Sequence, residues 1–312
     1  MTTLVKLFVV LLLSATLSSS YCGLHKVFLS NEHVASAQQE KQIEPIESPF
    51  KSHFLFTFNK AMVDDDVGLQ KRGVVAVEKV RDAALQNPLF EVHALIEPVI
   101  SRDEYEKDPS SLHVSQKIIF SHLQRYSHLI SKSDTCFVYS HTHGVRNGFV
   151  PTEPWGGLML DFDRSDMPHR GITVWPDYAH EVLEIPGETV VIFVMSCYSG
   201  GFIDYLKTIQ DQWNDRSIDG RNFLVITSQN NALQSGPVRI KGEVINPFTY
   251  SVQHAFSGEA DGFEGEKDGN VTIHEFIQYI LETTQHYGPK AYPQMIGSFH
   301  PNHVLFTISE NP

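Results

Sequence analysis

Two side chains in this sequence combine the right chemistry with a position where a chain can expose them. Cys197 closes the run Thr189-Val-Val-Ile-Phe-Val-Met-Ser-Cys-Tyr-Ser-Gly-Gly, and His143 lies in Cys136-Phe-Val-Tyr-Ser-His-Thr-His-Gly. The thiolate is the nucleophilic form of cysteine, and an adjacent base is what generates it near neutral pH. A histidine 54 residues upstream supplies that base if the fold brings the two together. The chemistry is then acyl transfer, in which sulfur attacks a carbonyl while the imidazole shuttles the proton. An unpaired cysteine is otherwise a small buried apolar residue, so position decides.

The elements that carry them share one design. Val190 to Met195 is an unbroken β-branched and apolar run, the pattern of a strand buried on both faces of a parallel sheet. It stops at Ser196-Cys197, and Ser199, Gly200 and Gly201 let the chain turn sharply there. Cys136 to Tyr139 is a second such strand and runs out into His141, His143 and Gly144. In open α/β sheets, ligands bind in the crevice outside the carboxyl ends of the strands. Two neighbouring strands would therefore place the thiol and the imidazole on one rim, as in proteases whose histidine precedes the cysteine by about 50 residues.

These two blocks resemble the cysteine peptidases of the caspase and legumain clan, and Cys197-Tyr-Ser-Gly-Gly-Phe202 is most similar to legumain-like members of bacterial type. Leu224-Val-Ile-Thr-Ser228 resembles the strand that follows the nucleophile in that family. In architecture the resemblance runs from Ser52 to Glu282, with the two blocks as its specific part. It implies a caspase-like α/β fold, an open and mainly parallel sheet with helices on both faces. It also implies peptide-bond hydrolysis through an acyl-enzyme on Cys197, His143 as acid and base, and an oxyanion site made by the backbone N–H groups of Gly144 and Cys197. No third catalytic residue is required by that pattern. The chain departs from it in lacking an Arg-His pair after the first strand, where legumain builds part of its acidic-residue pocket.

At 312 residues, 35.2 kDa and 41% hydrophobic, the chain can bury a large core. A net charge of −13 and a pI near 5.6 exclude a phosphate-backbone binder, which needs clustered Lys and Arg, so nucleic acid is not an expected partner. Lys6, the apolar block Leu7 to Leu13 and the serine-rich stretch to Ser20 read as a signal peptide over 1–20. That block is shorter than the roughly 20 residues a membrane span requires. An exported protein without a membrane span is expected, periplasmic in a bacterium and endomembrane or extracellular in a eukaryote. Residues 21–50 are polar and aperiodic, a flexible leader or propeptide, and 51–312 form the peptidase domain. Cys22, Cys136 and Cys197 make no disulfide framework.

Along the domain, His53 to Phe58 reads as a strand, Asp64 to Asp66 as a loop, and Gly73 to Gln86 as an amphipathic helix. Phe90 to Ile100 is a strand, Leu112 to Ile130 a helix, and the His143 strand follows. This alternation predicts a doubly wound parallel sheet. Leu158 to Asp163 reads as an edge element, Asp177 to Glu184 and Ile203 to Trp213 as helices, and Gln212 to Gly220 as a polar connection. Beyond the strand Leu224 to Thr227, the loop Ser228 to Gly236 should hang over the crevice, with Ser228, Gln229 and Asn230 as candidates for lining a substrate pocket. Helices at Phe248 to Phe256 and Phe276 to Glu282 and a strand at Ile296 to Ile308 complete the chain.

Glu264, Glu266, Asp268, Asn270 and Glu275 fall on the spacing of an EF-hand calcium loop, with Gly269 at its turn, although Glu stands at position 1 and no second loop pairs with it. The other reading of these residues is an acidic turn that caps the next helix. The proposed chemistry requires no cofactor, and calcium is the metal that this spacing suggests. Asn270-Val-Thr272 is also an N-glycosylation pattern. His141-Thr-His143 fails as a metallohydrolase motif, because Val145 and Arg146 stand where ligands are needed, and His274-Glu275 fails because Gln278 replaces the second histidine. Three functions stay open at this level: a peptidase acting on peptides or proteins, an inactive binding protein of the same fold, and a transpeptidase or ligase in which an amine captures the acyl-enzyme. Oligomeric state leaves no trace in the sequence.

Overall fold

The computed structural model describes residues 52–60, 67–108, 114–146, 148, 154–160, 172–211 and 221–308. The expected signal peptide, the leader, the loop Asp64 to Asp66 and the connection Gln212 to Gly220 lie outside them. In chain order the elements are β1 His53–Lys60, α1 Val67–Leu85, β2 Phe90–Leu95, α2 Arg102–Lys107, α3 Gln116–Ser127, β3 Thr135–Thr142 and β4 Gly144–Val145. There follow β5 Gly157–Met159, β6 Ile172–Val174, α4 Trp175–Leu183, β7 Thr189–Met195, α5 Gly200–Thr208, β8 Asn222–Thr227, β9 Val238–Ile240 and β10 Glu243–Ile245. The chain closes with α6 Pro247–His254, a π-helical turn Ala255–Glu259, β11 Asn270–Thr272, α7 Ile273–Tyr287, β12 Gln294–Ser298 and β13 Val304–Thr307.

Six strands form the central sheet in the order β2-β1-β3-β7-β8-β12, with every pair parallel except β12 on β8. This is the open, mainly parallel α/β sheet expected from the alternating pattern. Its buried strands alternate between two cores. Leu55, Phe137, Tyr139, Val191, Phe193 and Ile226 face α1, α6 and α7, whereas Phe56, Val138, Ile192, Val194 and Val225 face α3, α4 and α5. Helices therefore cover both faces, which is why β7 is apolar without interruption from Val190 to Met195 and β8 from Phe223 to Ile226. The connection from β1 leads outward to β2, and the next returns past β1 to β3. The order reverses between β1 and β3, the point at which such sheets open a crevice beyond their carboxyl ends.

Several expectations are corrected. Helix α1 begins six residues before Gly73, because Gln70 is buried and bonds both ways with the Ile100 backbone, at 2.9 and 2.8 Å, a use of a polar side chain that periodicity does not register. The strand from Phe90 stops at Leu95. The final strand is two: β12 closes the sheet edge, and after the turn at Pro301 β13 pairs antiparallel with β11. The β9–β10 hairpin was not anticipated. Its turn residues Lys241 and Gly242 both have positive φ, 48° and 91°, which is the tight turn that suits strand twist.

Candidate active site

The parallel register between β3 and β7 sets Ser140 beside Val194 and His141 beside Met195. Beyond the end of this pairing, His143 and Cys197 follow their strands by one and two residues and border the same cavity. The two sequence blocks thus meet on one rim. A small cavity of about 80 Å³ is lined by Lys60 from the end of β1, Leu69 and Gly73 from α1, His141, Thr142 and His143, then Met195, Ser196 and Cys197, and Ser235 from the loop after β8. Cys197 is partly buried. Its thiol donates to the Ser235 carbonyl at 3.7 Å. Burial pushes the thiol pKa above its ordinary value, with the Ser235 contact acting the other way. The resting sulfur is a thiol, and a base must take its proton when it reacts.

Gly144 abuts this residue directly. A Cβ on Gly144 would stand 2.0 Å from the Cys197 carbonyl oxygen and 2.9 Å from Ser196 Oγ. The glycine is required by the close approach of the two chains, and not by room for a substrate. Met159 N–H donates to the His143 carbonyl at 3.0 Å, which brackets Gly144 and Leu158 as an antiparallel pair that exchanges no hydrogen bonds. The Gly144 N–H consequently faces away from β5. Tyr198, just after the cysteine, has φ +56°, an uncommon conformation for a residue with a side chain. It is held there by its N–H donating to Leu233 O at 2.9 Å, and its hydroxyl accepts from Gln234 Nε2 at 3.1 Å.

His141 also borders the cavity, and its environment differs from an acid–base residue. Burial, reinforced by the proximity of His143, lowers its pKa to about 4. Its Nδ1 is buried without a hydrogen-bond partner. It is neutral near pH 7 and shared with a second, larger cavity of about 280 Å³ between α1 and the β9–β10 hairpin, whose walls include Leu69, Arg72, Val75, Met195, Pro237 and Ile245. Lys60, nearly invisible in the sequence, is buried against Glu97 at 3.3 Å, with side chains 2% and 0% exposed. Glu97 also accepts from Val114 N–H at 3.0 Å and fixes the ends of β1 and β2 beside the crevice.

The loop after β8 does overhang the site, but through Ser235. Ser228 is 1% exposed and spends its hydroxyl on the Ser196 carbonyl at 3.1 Å, extending the β7–β8 contact. Asn230 Oδ1 accepts from Ala232 N–H at 2.9 Å in a local turn. Gln229 borders a third cavity, of about 330 Å³, and its Oε1 accepts from Tyr292 N–H at 3.0 Å. None of the three lines the cavity that holds Cys197. Ser235 takes that role, and the only sequence signal for it is its place in Ser-Gly-Pro at 235–237.

In the acidic loop the side chains serve the backbone. Glu275 accepts from Thr272 N–H at 2.9 Å and Gly262 N–H at 3.1 Å in a capping box for α7. Asp261, absent from the sequence-based set, accepts from Asp268 N–H at 3.1 Å and Gly269 N–H at 3.2 Å. Asp268 accepts from Asn270 N–H at 2.8 Å, Asn270 Oδ1 accepts from Thr307 Oγ1 at 3.0 Å, and Glu264 faces His274 at 3.7 Å. Glu266 is exposed. Among the described residues, no three His, Cys, Asp or Glu side chains are gathered to hold a metal ion.

No protein-family model matches this chain, and no curated protein does. Among solved structures it is similar to protein GSU0716 of Geobacter sulfurreducens, at 12% identity and a TM-score of 0.50, covering 80% of this chain and 94% of that one. It is also similar to the Drosophila initiator caspase Dronc, at 11% identity and a TM-score of 0.42, covering 89% of this chain and 95% of that one. At 12% identity the likeness to the Geobacter protein is one of fold alone.

Proposed function

We propose that this protein is a cysteine endopeptidase of caspase-like architecture and legumain-like active-site wording, with Cys197 as nucleophile and His143 as acid and base. The observation that carries the reading is the meeting of two independent motifs: β3 and β7 are neighbours in the sheet, and His143 and Cys197, just beyond their carboxyl ends, line one cavity. His143 takes the proton from Cys197 Sγ as sulfur bonds to the peptide carbonyl carbon. The carbonyl oxygen gains the negative charge, where the Gly144 and Cys197 N–H groups stabilise it. His143 then protonates the departing amine as the C–N bond breaks, and water hydrolyses the thioester to regenerate the thiol. Burial of the thiol favours proton transfer during attack over a standing thiolate.

Among the described residues no helix is long and apolar enough to cross a membrane. Export is part of the same proposal and rests on Met1 to Ser20 alone. Expression with those residues in place, followed by amino-terminal sequencing of the secreted fraction, tests it: an uncut cytosolic chain contradicts export.

The activity is tested by incubating wild type, Cys197→Ala and His143→Ala with a positional peptide library and reading products by mass spectrometry. The proposal expects cleavage by wild type and its loss in both variants. Joined peptides in place of cut ones would make the protein a ligase, and no turnover by wild type across acidic to neutral pH, with or without calcium, would favour a binding protein.

A further inference from the structure

The segment Leu233 to Gly236 crosses directly over the nucleophile and is fastened by side chains more than by its own backbone. Tyr198 ties it at one end through its N–H to Leu233 and its hydroxyl to Gln234, at 2.9 and 3.1 Å. At the other end Asn246, 6% exposed, donates from its amide nitrogen to Ser235 Oγ at 2.8 Å and to the Gly236 carbonyl at 3.2 Å. Between the two fastenings, the Ser235 carbonyl accepts the Cys197 thiol. Cavities of about 280 and 330 Å³ flank this strap, and Ser235, Gly236, Pro237 and Asn246 border both. A wall with empty space on either side, held by a few hydrogen bonds, has room to move.

We propose that Asn246 is a positioning residue for Cys197, holding the Ser235 carbonyl over the thiol as a latch that keeps the sulfur engaged until the strap shifts. While the latch is closed, the sulfur's proton is committed to a carbonyl that cannot take it. Release of Ser235 leaves that proton free for His143. The titratable groups facing Cys197 are His141 and His143 from β3 and Lys60 from the end of β1, and the residues of α1 and the strap that border its cavity carry none. The latch rests on Cys197 being the nucleophile of the proposed function, but it does not depend on which carbonyl compound is attacked.

Asn246→Asp is the decisive variant. It keeps the side-chain oxygen that accepts from Phe248 N–H at 2.9 Å and starts α6, while removing both donors to the strap. The readout is the rate of Cys197 alkylation by iodoacetamide from pH 6 to 9, followed by peptide mass spectrometry, with buried Cys136 as internal control. The expected result is alkylation about tenfold faster across that range in a protein that still melts cooperatively. Gln234→Ala, which loosens the other end through an exposed residue, should act in the same direction. An unchanged rate in both folded variants overturns the latch. Faster alkylation without peptide cleavage by any form would keep the latch and remove the peptidase reading, whereas cleavage by wild type with unchanged alkylation in the variants would do the reverse.

Discussion

Adding one methyl group at Gly144 should disable this site. A Cβ there would stand 2.0 Å from the Cys197 carbonyl oxygen, 3.1 Å from its carbonyl carbon and 2.9 Å from Ser196 Oγ. Ordinary contact begins at 3.4 Å, so the two strand ends must separate by about 1.4 Å. The obstructing atoms are mainly backbone at the end of a buried strand, which cannot swing aside as a side chain can. Overpacking of this kind costs about 1–3 kcal/mol of stability, and a misplacement near 1 Å in a catalytic geometry costs on the order of 100-fold in rate. Gly144→Ala is therefore expected to stay folded, to lose about 1–3 kcal/mol in urea denaturation, and to cleave peptides at least about 100-fold more slowly. A Gly144→Ala protein with wild-type cleavage would refute the claim that this contact sets the distance between the histidine and cysteine strands.

Four further outcomes follow from the structure. His141 has a folded-state pKa near 4 against an ordinary 6.5, so between these values the folded state binds fewer protons than the unfolded one and stability rises with pH. Denaturation at pH 4.5 and 6.5 should show this loss on acidification, with a slope no greater than about 1.4 kcal/mol per pH unit, and His141→Gln should flatten it. Lys60→Met leaves Glu97 buried without its ammonium and should cost about 3–5 kcal/mol in urea denaturation; a neutral result would mean the pair is dispensable. Glu275→Ala removes the acceptor that caps α7 and should lower stability by about 1–3 kcal/mol. Millimolar calcium should leave the melting temperature of wild type unmoved, and a calcium-dependent rise abolished by Glu275→Ala would make the acidic loop a cation site.

What the sequence made legible was whatever depends on backbone period and strand ends. Val190 to Met195 could be placed because a strand covered on both faces has no polar alternation, and Cys197 and His143 followed from where two such strands stop. Polar side chains used internally were not legible. Gln70 inside α1, the Lys60–Glu97 pair and Asp261 under the acidic turn all look like surface residues until the fold supplies their partners. Ser228 illustrates the converse, since its place after β8 suggested a pocket while the β7 carbonyl of Ser196 had already claimed its hydroxyl. In the acidic loop the sequence leaves two readings open, because a helix cap and a cation site ask for carboxylates at overlapping positions.

The central claim is a covalent one, and the mass of the intact protein tests it most directly. Wild type mixed with a cleavable peptide and quenched in acid within the first turnover should gain the mass of the peptide's acyl portion, and digestion should locate that mass on Cys197. His143→Ala should form far less of this adduct, and Cys197→Ala none. Peptide cleavage with no adduct at any time, or an adduct on another residue, would contradict the account.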